Sequence, residues 1–401
     1  MRSFWRYPLA AALACGAAAC ENPGDREPAQ SAAEGAAQPA APGYHVFTLS
    51  SLGGASAANS INNLGWVTGT SNLEGDAITH ASLWIFGFQV DLGTLGGPNS
   101  AVLFPVKNNR GLISGVTELA DMDPNAENWS CSAFFPAVTH HVCRGFVWER
   151  GVMRKLPTLG GTHGFATGTN NRGQTVGWAE NTVHDATCNL PQVLQFRAVI
   201  WGPGKDDMKE LPPLPGDTST AATAINDRGQ VVGISGDCAN AVGGFSARHA
   251  VLWENGSVTD LGNIGGVAWN TPMAINQHGV VVGFANIPFD PPGRFHEHAF
   301  MWTKRDGMKD LGTLDGDVRS QALGINEAGQ VVGLSRGATF RAVIWENGAI
   351  EDLATLVTSG SHDPLFAAGD IDDFGVITGT TAATPSAAFV ALPIGRHGDR
   401  D

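Results

Sequence analysis

The strongest constraint on this chain is a three-part pattern that recurs seven times between residues 44 and 393. The first part reads Ile-Asn-x-x-Gly-Gln-Val-Val-Gly and is clearest at residues 225–233. The second, Asp-Leu-Gly-Thr-Leu-Gly-Gly, is clearest at 91–97, and the third, Ala-Phe-x-Trp, at 299–302. Tandem repeats of about 20 to 50 residues indicate solenoids or propellers rather than unrelated domains.

The first part of the pattern predicts a tight hairpin. Asx residues at the first turn position accept backbone hydrogen bonds, and Gly at the fourth adopts the left-handed conformation that follows a type I turn. The first position is filled by Asn62, Asn108, Asn170, Asn226, Asn276, Asn326 and Asp372, and the fourth by Gly65, Gly111, Gly173, Gly229, Gly279, Gly329 and Gly375. Because every repeat carries these residues, they indicate structure rather than an active site.

Two further positions in the repeat indicate close packing. The Gly inside the strand after the hairpin, Gly69 in the first repeat and Gly379 in the last, predicts close passage of another backbone. Large rings in phase predict core packing rather than a stacking site for ligands. The rings are Trp84, Trp148, Trp201, Trp253, Trp302 and Trp345, with Ala391 in the seventh place.

Each repeat supplies four short strands, and 52 Gly residues suit many turns. We therefore predict an all-β fold, a seven-bladed β-propeller of four-stranded blades. The chain enters on a fourth-type strand, residues 45–52, and leaves on a third-type strand, residues 387–392. Pairing of this N-terminal strand into the last blade would close the ring and remove an open sheet edge.

The three elements together resemble the HAF-type extracellular repeat, named for a His-Ala-Phe triplet that stands here at 298–300. The resemblance covers residues 45–392 and implies export and tandem repetition, with no particular biochemical activity. The last repeat departs from the pattern at Ala391 and at Val357-Thr358, which replace a Trp and a Gly pair.

The N-terminus predicts export. Arg2 and Arg6 precede a short apolar stretch that ends at Cys20, within an Ala-Ala-Ala-Cys sequence that resembles a bacterial lipobox. Acylation at Cys20 would give an outer-membrane lipoprotein on the periplasmic or extracellular side. Acylation at Cys15 and an ordinary signal peptide cut after Ala19 are the alternatives.

These features divide the chain into four parts. We assign residues 1–20 to a lipoprotein-type signal peptide, 21–43 to a disordered tether rich in Ala, Pro and Glu, 44–393 to the propeller and 394–401 to a flexible tail. The net charge of −14 disfavours a nucleic-acid partner, because phosphate contacts need a basic surface. It also indicates that the membrane is reached through the N-terminal lipid rather than through electrostatic attraction.

One connection varies strongly between repeats, the one between the second and third strands. It is long in repeats two to five, at residues 118–143, 180–196, 236–248 and 286–297. Equivalent connections emerge on one side of a ring, and loops on a rigid scaffold carry binding residues. Four cysteines lie in these loops, and their even number in an exported chain favours disulfides, with three pairings left open. They are Cys131, Cys143, Cys188 and Cys238.

The same loops hold the candidate binding residues, aromatic side chains mixed with charged ones; burial against the propeller is the alternative. They are Trp129, Phe134, Phe135, His140, His141, Phe289, Asp290, Arg294, Phe295 and His296. The acidic stretch 121–127 resembles the start of a calcium loop, but Ala126 replaces the sixth-position Gly and Ser132 the twelfth-position Glu. We therefore expect a solvated acidic loop, and neither a metal nor a cofactor.

A basic residue precedes the Ala-Phe pair in six repeats. An anion-binding ring at the channel is one interpretation, and pairing with in-phase aspartates is the one we favour, because repeated residues usually serve the repeated fold. The basic residues are His80, Arg144, Arg197, His249, His298 and Arg341, and the aspartates are Asp91, Asp260, Asp310 and Asp352.

These features predict a binding or scaffold protein at the bacterial cell envelope, which holds a protein or glycan partner on the long loops of repeats two to five. A secreted hydrolase or lyase acting on polysaccharide is the alternative from another class, since propellers host enzymes. No close carboxylate pair and no Gly-x-Ser-x-Gly sequence supports it, so an enzyme is the less favoured reading. A purely structural envelope protein is the third alternative.

Overall fold

A computed structural model describes residues 43–127, 134–204, 207–239, 243–288 and 296–394. Within these ranges 29 strands form seven sheets. Each sheet packs on the next, and the seventh packs on the first through β28 and β2, so the sheets form a closed ring. This confirms the seven-bladed β-propeller.

Blades 1 to 3 each contain four antiparallel strands that run in chain order from the channel to the rim. Blade 1 comprises β2 (Gly53–Ile61), β3 (Trp66–Leu73), β4 (Thr79–Ile85) and β5 (Phe88–Asp91). Blade 2 comprises β6 (Gly96–Ala101), β7 (Ile113–Met122), β8 (His141–Glu149) and β9 (Val152–Lys155). Blade 3 comprises β10 (Gly160–Thr169), β11 (Thr175–His184), β12 (Leu194–Trp201) and β13 (Met208–Glu210).

Blades 4 to 6 repeat the same arrangement. Blade 4 comprises β14 (Ser219–Ile225), β15 (Val231–Gly236), β16 (His249–Glu254) and β17 (Ser257–Asp260). Blade 5 comprises β18 (Thr271–Ile275), β19 (Val281–Asn286), β20 (Glu297–Thr303) and β21 (Gly307–Gly312). Blade 6 comprises β22 (Arg319–Ile325), β23 (Val331–Arg336), β24 (Phe340–Glu346) and β25 (Ala349–Asp352). Two 3-10 turns, Gly244–Ala247 and Leu353–Leu356, lie in connections.

Blade 7 closes the ring with strands from both ends of the propeller. Its inner strands are β27 (Leu365–Ile371), β28 (Ile377–Thr381) and β29 (Ala388–Ile394), and β1 (Gly43–Thr48) pairs antiparallel with β29 as its fourth strand. The predicted closure is therefore confirmed. A fifth strand that the sequence did not predict, β26 (Val357–Gly360), pairs parallel with the outer side of β1. It begins at the two residues that replace the usual Gly pair.

The antiparallel meander gives the ring two different faces. The hairpins between first and second strands and between third and fourth strands lie at one end of each blade, which we call the turn face. The connections between second and third strands, and those between blades, lie at the opposite end, which we call the connection face. No helix within the described ranges is long and apolar enough to cross a bilayer.

The Asx turns have the predicted geometry and also link neighbouring blades. In blade 4, Asn226 Oδ1 accepts the backbone N–H groups of Arg228 and Gln230, and Gly229 has a φ of +79°. The Asn226 side chain also donates to the main-chain carbonyl of Asn276 in blade 5, at 3.0 Å. Asn62, Asn170, Asn276 and Asn326 make the same bond to the next blade.

The second position of the Asx turns forms a closed belt around the channel. At each position a backbone N–H donates to the side-chain oxygen of the equivalent residue in the next blade, over 2.7 to 3.1 Å, and the last bond returns to blade 1. The members in order are Asn63, Asn109, Asn171, Asp227, Gln277, Glu327 and Asp373. The belt joins all seven turns in one hydrogen-bonded circle.

The repeated Gly and Trp positions pack as predicted. A Cβ at Gly177 would lie 1.9 Å from the carbonyl oxygen of Phe165 on the neighbouring inner strand, so no side chain fits there. The repeated Trp rings are buried between blades. Trp253, for example, donates its indole N–H to the carbonyl of Pro212 in the connection between blades, at 2.7 Å.

An ion pair between a partly exposed lysine and a buried carboxylate links blades 2 and 7. Lys107 of blade 2 stands where blades 1 and 4 have Ile, and its Nζ lies 2.6 Å from a carboxylate oxygen of Asp370 on β27 of blade 7. Asp370 is fully buried and also accepts the backbone N–H of Ile61. Burial raises the pKa of Asp370, although the charge of Lys107 opposes this. The pair therefore bridges the two blades that flank blade 1.

Candidate functional site

The candidate site is the connection face of blades 2 to 4, where the longest connections described by the structure lie. β7 and β11 have 10 residues each, so their ends continue into these connections. Trp129, Cys131, Phe289, Asp290, Arg294 and Phe295, like Cys20, lie outside the described residues.

A disulfide joins two of these connections. Cys188 of blade 3 and Cys238 of blade 4 are bonded, which is one of the pairings that the sequence left open. Cys143 at the start of the third strand of blade 2 is also disulfide-bonded. The connections of blades 3 and 4 are therefore held together covalently.

Glu127 joins the connections of blades 2 and 3. One of its carboxylate oxygens accepts the backbone N–H groups of Val193 and Leu194, at 2.8 and 2.5 Å. The other oxygen accepts from the side-chain amide of Asn125 at 2.8 Å. Glu127 is buried, and hydrogen bonds from three donors offset the cost of removing its charge from water.

Asp123 makes a buried ion pair with His163, an inner-strand residue of blade 3. The Asp123 oxygen and His163 Nε2 are 3.2 Å apart, and the side chains are 0% and 2% exposed. The backbone N–H of Cys143 donates to His163 Nδ1 at 3.1 Å. Because Nδ1 accepts this bond, the neutral ring carries its proton on Nε2, where it faces the carboxylate, and protonation of Nδ1 would give up the bond from Cys143.

Burial and charge act in opposite directions on this pair. Burial alone would lower the pKa of His163, but the hydrogen bond with Asp123 and the charge of Glu180 outweigh it, so the pKa is raised. Burial would raise the pKa of Asp123, but the hydrogen bonds from His163 and from the Asn125 backbone outweigh it, so that pKa is lowered. Both pKa shifts favour the charged pair, whereas the backbone N–H of Cys143 on Nδ1 favours the neutral ring.

Two further carboxylates stand at the same position of blades 2 and 3, three residues after the strand Gly. Glu180 accepts the backbone N–H groups of Thr162 and His163 at the start of the inner strand, and Glu118 accepts that of Asn99. Burial raises the pKa of Glu180. These bonds fix how each inner strand begins, so the carboxylates support the site from beneath rather than line its surface.

The expectation of a solvated acidic loop is wrong for two of its residues. Asp123 and Glu127 are buried because each has a partner in blade 3, whereas Asp121, Pro124 and Asn125 are exposed. The carboxylates of Asp123 and Glu127 are thus committed to His163 and to backbone N–H groups. The sequence could not show these partners, which lie 40 or more residues away.

The aromatic residues of the blade 2 loop pack inward. Phe135 is 5% exposed, and Phe134 is partly buried with its ring 5.1 Å from that of Phe165. Phe165 in turn stacks on Trp178 at 4.4 Å. Burial against the propeller, the alternative interpretation, therefore accounts for Phe135, which does not belong to the exposed surface.

The predicted histidines lie at the roots of the loops. His141 Nδ1 lies 2.8 Å from the carbonyl oxygen of Leu119, and the carbonyl of His140 accepts the backbone N–H of Asp123 at 2.8 Å. The carbonyl of His296 accepts the N–H of Ile287. These contacts shape the backbone of the connection face.

Four exposed apolar residues that the sequence reading missed lie on this face. They are Met122 and Val183 at the ends of β7 and β11, Leu190 in the blade 3 loop, which is 85% exposed, and Phe245 in the blade 4 loop. Together they give the supported loops an apolar outer surface. Single apolar residues in polar loops carry no periodic signal that would have revealed them.

Two of the six in-phase basic residues pair closely with an in-phase aspartate, as favoured, whereas Arg197 lies 3.6 Å from Glu210. His80 lies 2.8 Å from Asp91, and His298 lies 2.8 Å from Asp310. His249 departs from the expectation, because its partner at 2.9 Å is Asp217 in the connection that leads into its own blade. Arg341 likewise contacts Asp317, at 2.8 Å, more closely than Asp352, at 3.8 Å.

Comparisons with solved structures agree with the fold. Virginiamycin B lyase from Staphylococcus aureus is similar with a TM-score of 0.51 and 11% identity, over 88% of this chain and 99% of that one. An acylaminoacyl peptidase from Pyrococcus horikoshii gives 0.47 and 10%, over 84% of this chain and 51% of that one. This chain thus spans about half of the peptidase chain. At these identities the likeness shows the propeller fold alone.

No protein-family model matches the chain, and no curated protein matches it. The resemblance to HAF-type repeats therefore stays a prediction.

Proposed function

We propose that this protein is an exported, lipid-anchored binding or scaffold protein of the bacterial envelope, which holds a protein or glycan partner on the connection face of blades 2 to 4. The observation that carries the proposal is that three separate loops are tied into one surface. The Cys188–Cys238 disulfide, the Glu127 cap and the Asp123–His163 ion pair each link one blade to the next.

Such cross-links favour binding because they lower the entropy lost when a partner is bound. The side chains that they present are apolar and exposed. Leu190 follows Cys188 closely in the blade 3 loop, and Phe245 follows Cys238 in the blade 4 loop. Exposed apolar groups on a rigid, otherwise polar surface are typical of interaction sites.

The alternative of a polysaccharide hydrolase or lyase has less support. A propeller lyase shares the fold, but fold does not determine activity. The pair on this face best suited to proton transfer is Asp123–His163, and it is closed off from solvent in the described structure. A substrate would have to displace the supporting contacts to reach it.

The proposal is tested by affinity capture from detergent-solubilised envelopes of the source organism. We compare the wild type with L190D/F245D, and use Val152→Asp, an exposed residue on the rim of blade 2, as the matched control. A specific partner should be lost with the double variant and kept with the control. Identical capture by all three proteins would remove the connection face as the binding surface and favour a structural role.

The anchor and the enzymatic alternative need separate assays. Mass spectrometry of the mature N-terminus should show acylation at Cys20, and Cys20→Ser should abolish it. Release of new reducing or unsaturated ends from envelope polysaccharide would instead support the hydrolase or lyase.

A further inference from the structure

The turn face is divided into a basic and an apolar sector. The third position of the Asx turn is exposed in every blade. It is basic in blades 2 to 5, but Leu64 in blade 1 and Phe374 in blade 7 are apolar. These two are neighbours, since Asn63 and Asp373, the residues before them, are hydrogen-bonded to each other.

Three more exposed apolar residues extend this sector. Phe86 and Phe88, 83% and 79% exposed, lie in the hairpin between β4 and β5 of blade 1. This hairpin is close to the Asx turn of the same blade, because Ile85 at the end of β4 pairs with Trp66 at the start of β3. Ile394 ends β29 of blade 7, and the preceding Pro393 lies against the Asx turn, 3.7 Å from where a Cβ of Gly375 would stand. We call Leu64, Phe86, Phe88, Phe374 and Ile394 the seam patch, because it covers the junction of blades 7 and 1.

The chain enters the propeller beside the seam patch. Gly43, the first residue of β1, pairs with Ile394, so residues 1–42 join the ring at the turn face. The predicted acylation site, Cys20, is separated from Gly43 by the residues 21–42. If residues 21–42 form the disordered tether that the sequence predicts, their r.m.s. span would be about 25 Å. An anchored chain would thus keep the seam patch within reach of the bilayer.

We propose that the seam patch inserts its apolar side chains into the phospholipid surface that holds the anchor. Aromatic and aliphatic side chains bury readily at the boundary of headgroups and acyl chains. The members of the seam patch carry no charge, so the contact that we propose for them depends on apolar burial rather than on attraction to anionic lipid. A second copy of this chain is the competing occupant of the patch, and the test below separates the two.

The consequence of this inference, an orientation of the ring that exposes the binding surface, rests on the proposed function. With the turn face on the bilayer, the connection face points away from the membrane. Leu190 and Phe245 are then presented to partners in the aqueous space. The lipid contact itself does not require that a partner be bound.

The test is sedimentation of the non-acylated chain, residues 21–401, with phosphatidylcholine and phosphatidylethanolamine vesicles. This chain contains every residue of the closed ring. We expect the wild type to sediment with vesicles. The partition coefficient of F86D/F88D should be lower by a factor of about ten or more, because two exposed rings are replaced by charges. Binding should withstand high salt, because apolar side chains rather than the basic sector of the turn face carry it.

The matched control is V267D/V318D, which places two charges at exposed apolar residues of the connection face. It should bind vesicles as the wild type does, and circular dichroism should show that both variants are folded. A wild type that stays in the supernatant, or equal loss in both variants, overturns the proposal. A concentration-dependent dimer that F86D/F88D abolishes, without vesicle binding, assigns the patch to a second copy and also overturns it.

The outcome of the vesicle assay does not depend on whether the proposed function is correct. The vesicle assay uses a chain without the lipid, so a failure of acylation at Cys20 leaves it unaffected. The capture experiment uses variants on the opposite face. Loss of partner capture in L190D/F245D with normal vesicle binding, or the reverse, shows which of the two proposals fails.

Discussion

The two faces of the ring are built in different ways. On the turn face the same interactions recur in every blade, as in the belt that runs from Asn63 to Asp373. On the connection face the stabilising contacts differ from blade to blade: a disulfide joins blades 3 and 4, and a buried ion pair joins blades 2 and 3. Repeated residues close the ring, whereas residues that occur once shape a surface and need support of their own.

The largest effect should follow from opening the ring. Deleting Gly43–Thr48 removes the buried Tyr44 and Val46 and leaves β29 and β26 without the strand between them. We expect loss of the cooperative thermal transition, monitored by circular dichroism. Removal of residues 21–40, which precede the ring, should leave the transition in place. A β1 deletion that melts like the wild type would contradict closure as the source of stability.

The second largest effect is expected from breaking the ion pair between Lys107 and Asp370. Lys107→Met leaves the buried Asp370 carboxylate without its positive partner. We expect a loss of about 3 to 5 kcal/mol in the free energy of unfolding by urea. Burial already raises the pKa of Asp370, and loss of the lysine raises it further. The penalty should therefore shrink as the pH falls from neutral. K107M/D370N should regain much of the loss, and failure to do so would mean that packing of the lysine matters more than its charge.

Removal of the Cys188–Cys238 disulfide probes the connection face. The bond spans 50 residues of sequence, and we expect C188S/C238S to lose about 2 to 4 kcal/mol in urea unfolding under oxidising conditions. Limited proteolysis should show new cleavage in the blade 3 and blade 4 loops, with the turn face still protected. Cleavage spread evenly over both faces would show that the two regions do not unfold separately.

The pair of Asp123 and His163 should give the connection face a pH dependence. Since the folded pKa of His163 is raised above its usual 6.5, its stabilisation is complete below that value and is lost as the pH rises through the folded pKa. His163→Gln keeps a neutral donor toward Asp123, so we expect a loss of about 1.5 to 3 kcal/mol at mildly acidic pH. The difference in thermal midpoint between wild type and variant should narrow toward alkaline pH. A constant difference would show that the ring contributes by packing alone.

The smallest effect is expected within the belt. Gln277→Ala removes one acceptor, that of the Asp227 backbone N–H, and should cost about 0.5 to 1.5 kcal/mol. Asn171→Ala, which removes the equivalent acceptor in blade 3, should cost a similar amount. Urea unfolding of both variants compares blades directly. A much larger loss at one position would show that the belt is not uniform.

The sequence predicted the ring because its evidence is repeated. An Asn or Asp and a Gly at fixed spacing, seen seven times, predict the turn at Asn226 and the strand after it. The phase of the first and last strands likewise predicted that β1 joins β29. β26 was missed because its parallel pairing depends on where β1 lies in space, and Val357 and Thr358 showed only a departure from the pattern.

The site was harder to predict because its residues occur once and their partners are distant. The sequence predicts that Glu127 is solvated, because nothing in it shows that the backbone N–H groups of Val193 and Leu194 lie beside the carboxylate. Phe135 reads equally well as a surface ring or a core ring, and only the position of the blade 2 loop decides. Cysteine count predicted disulfides, but spacing could not choose the Cys188–Cys238 pairing among three.

The position of β1 between β29 and β26 has a mechanical consequence. A pull transmitted through the residues before Gly43 would load β1 along its own axis, with hydrogen-bonded strands on both sides. Sliding the strand out would require its ladders to break together in shear, rather than one bond at a time as in peeling an edge strand. The fifth strand thus makes the point where the preceding chain leaves the ring resistant to a pull along β1.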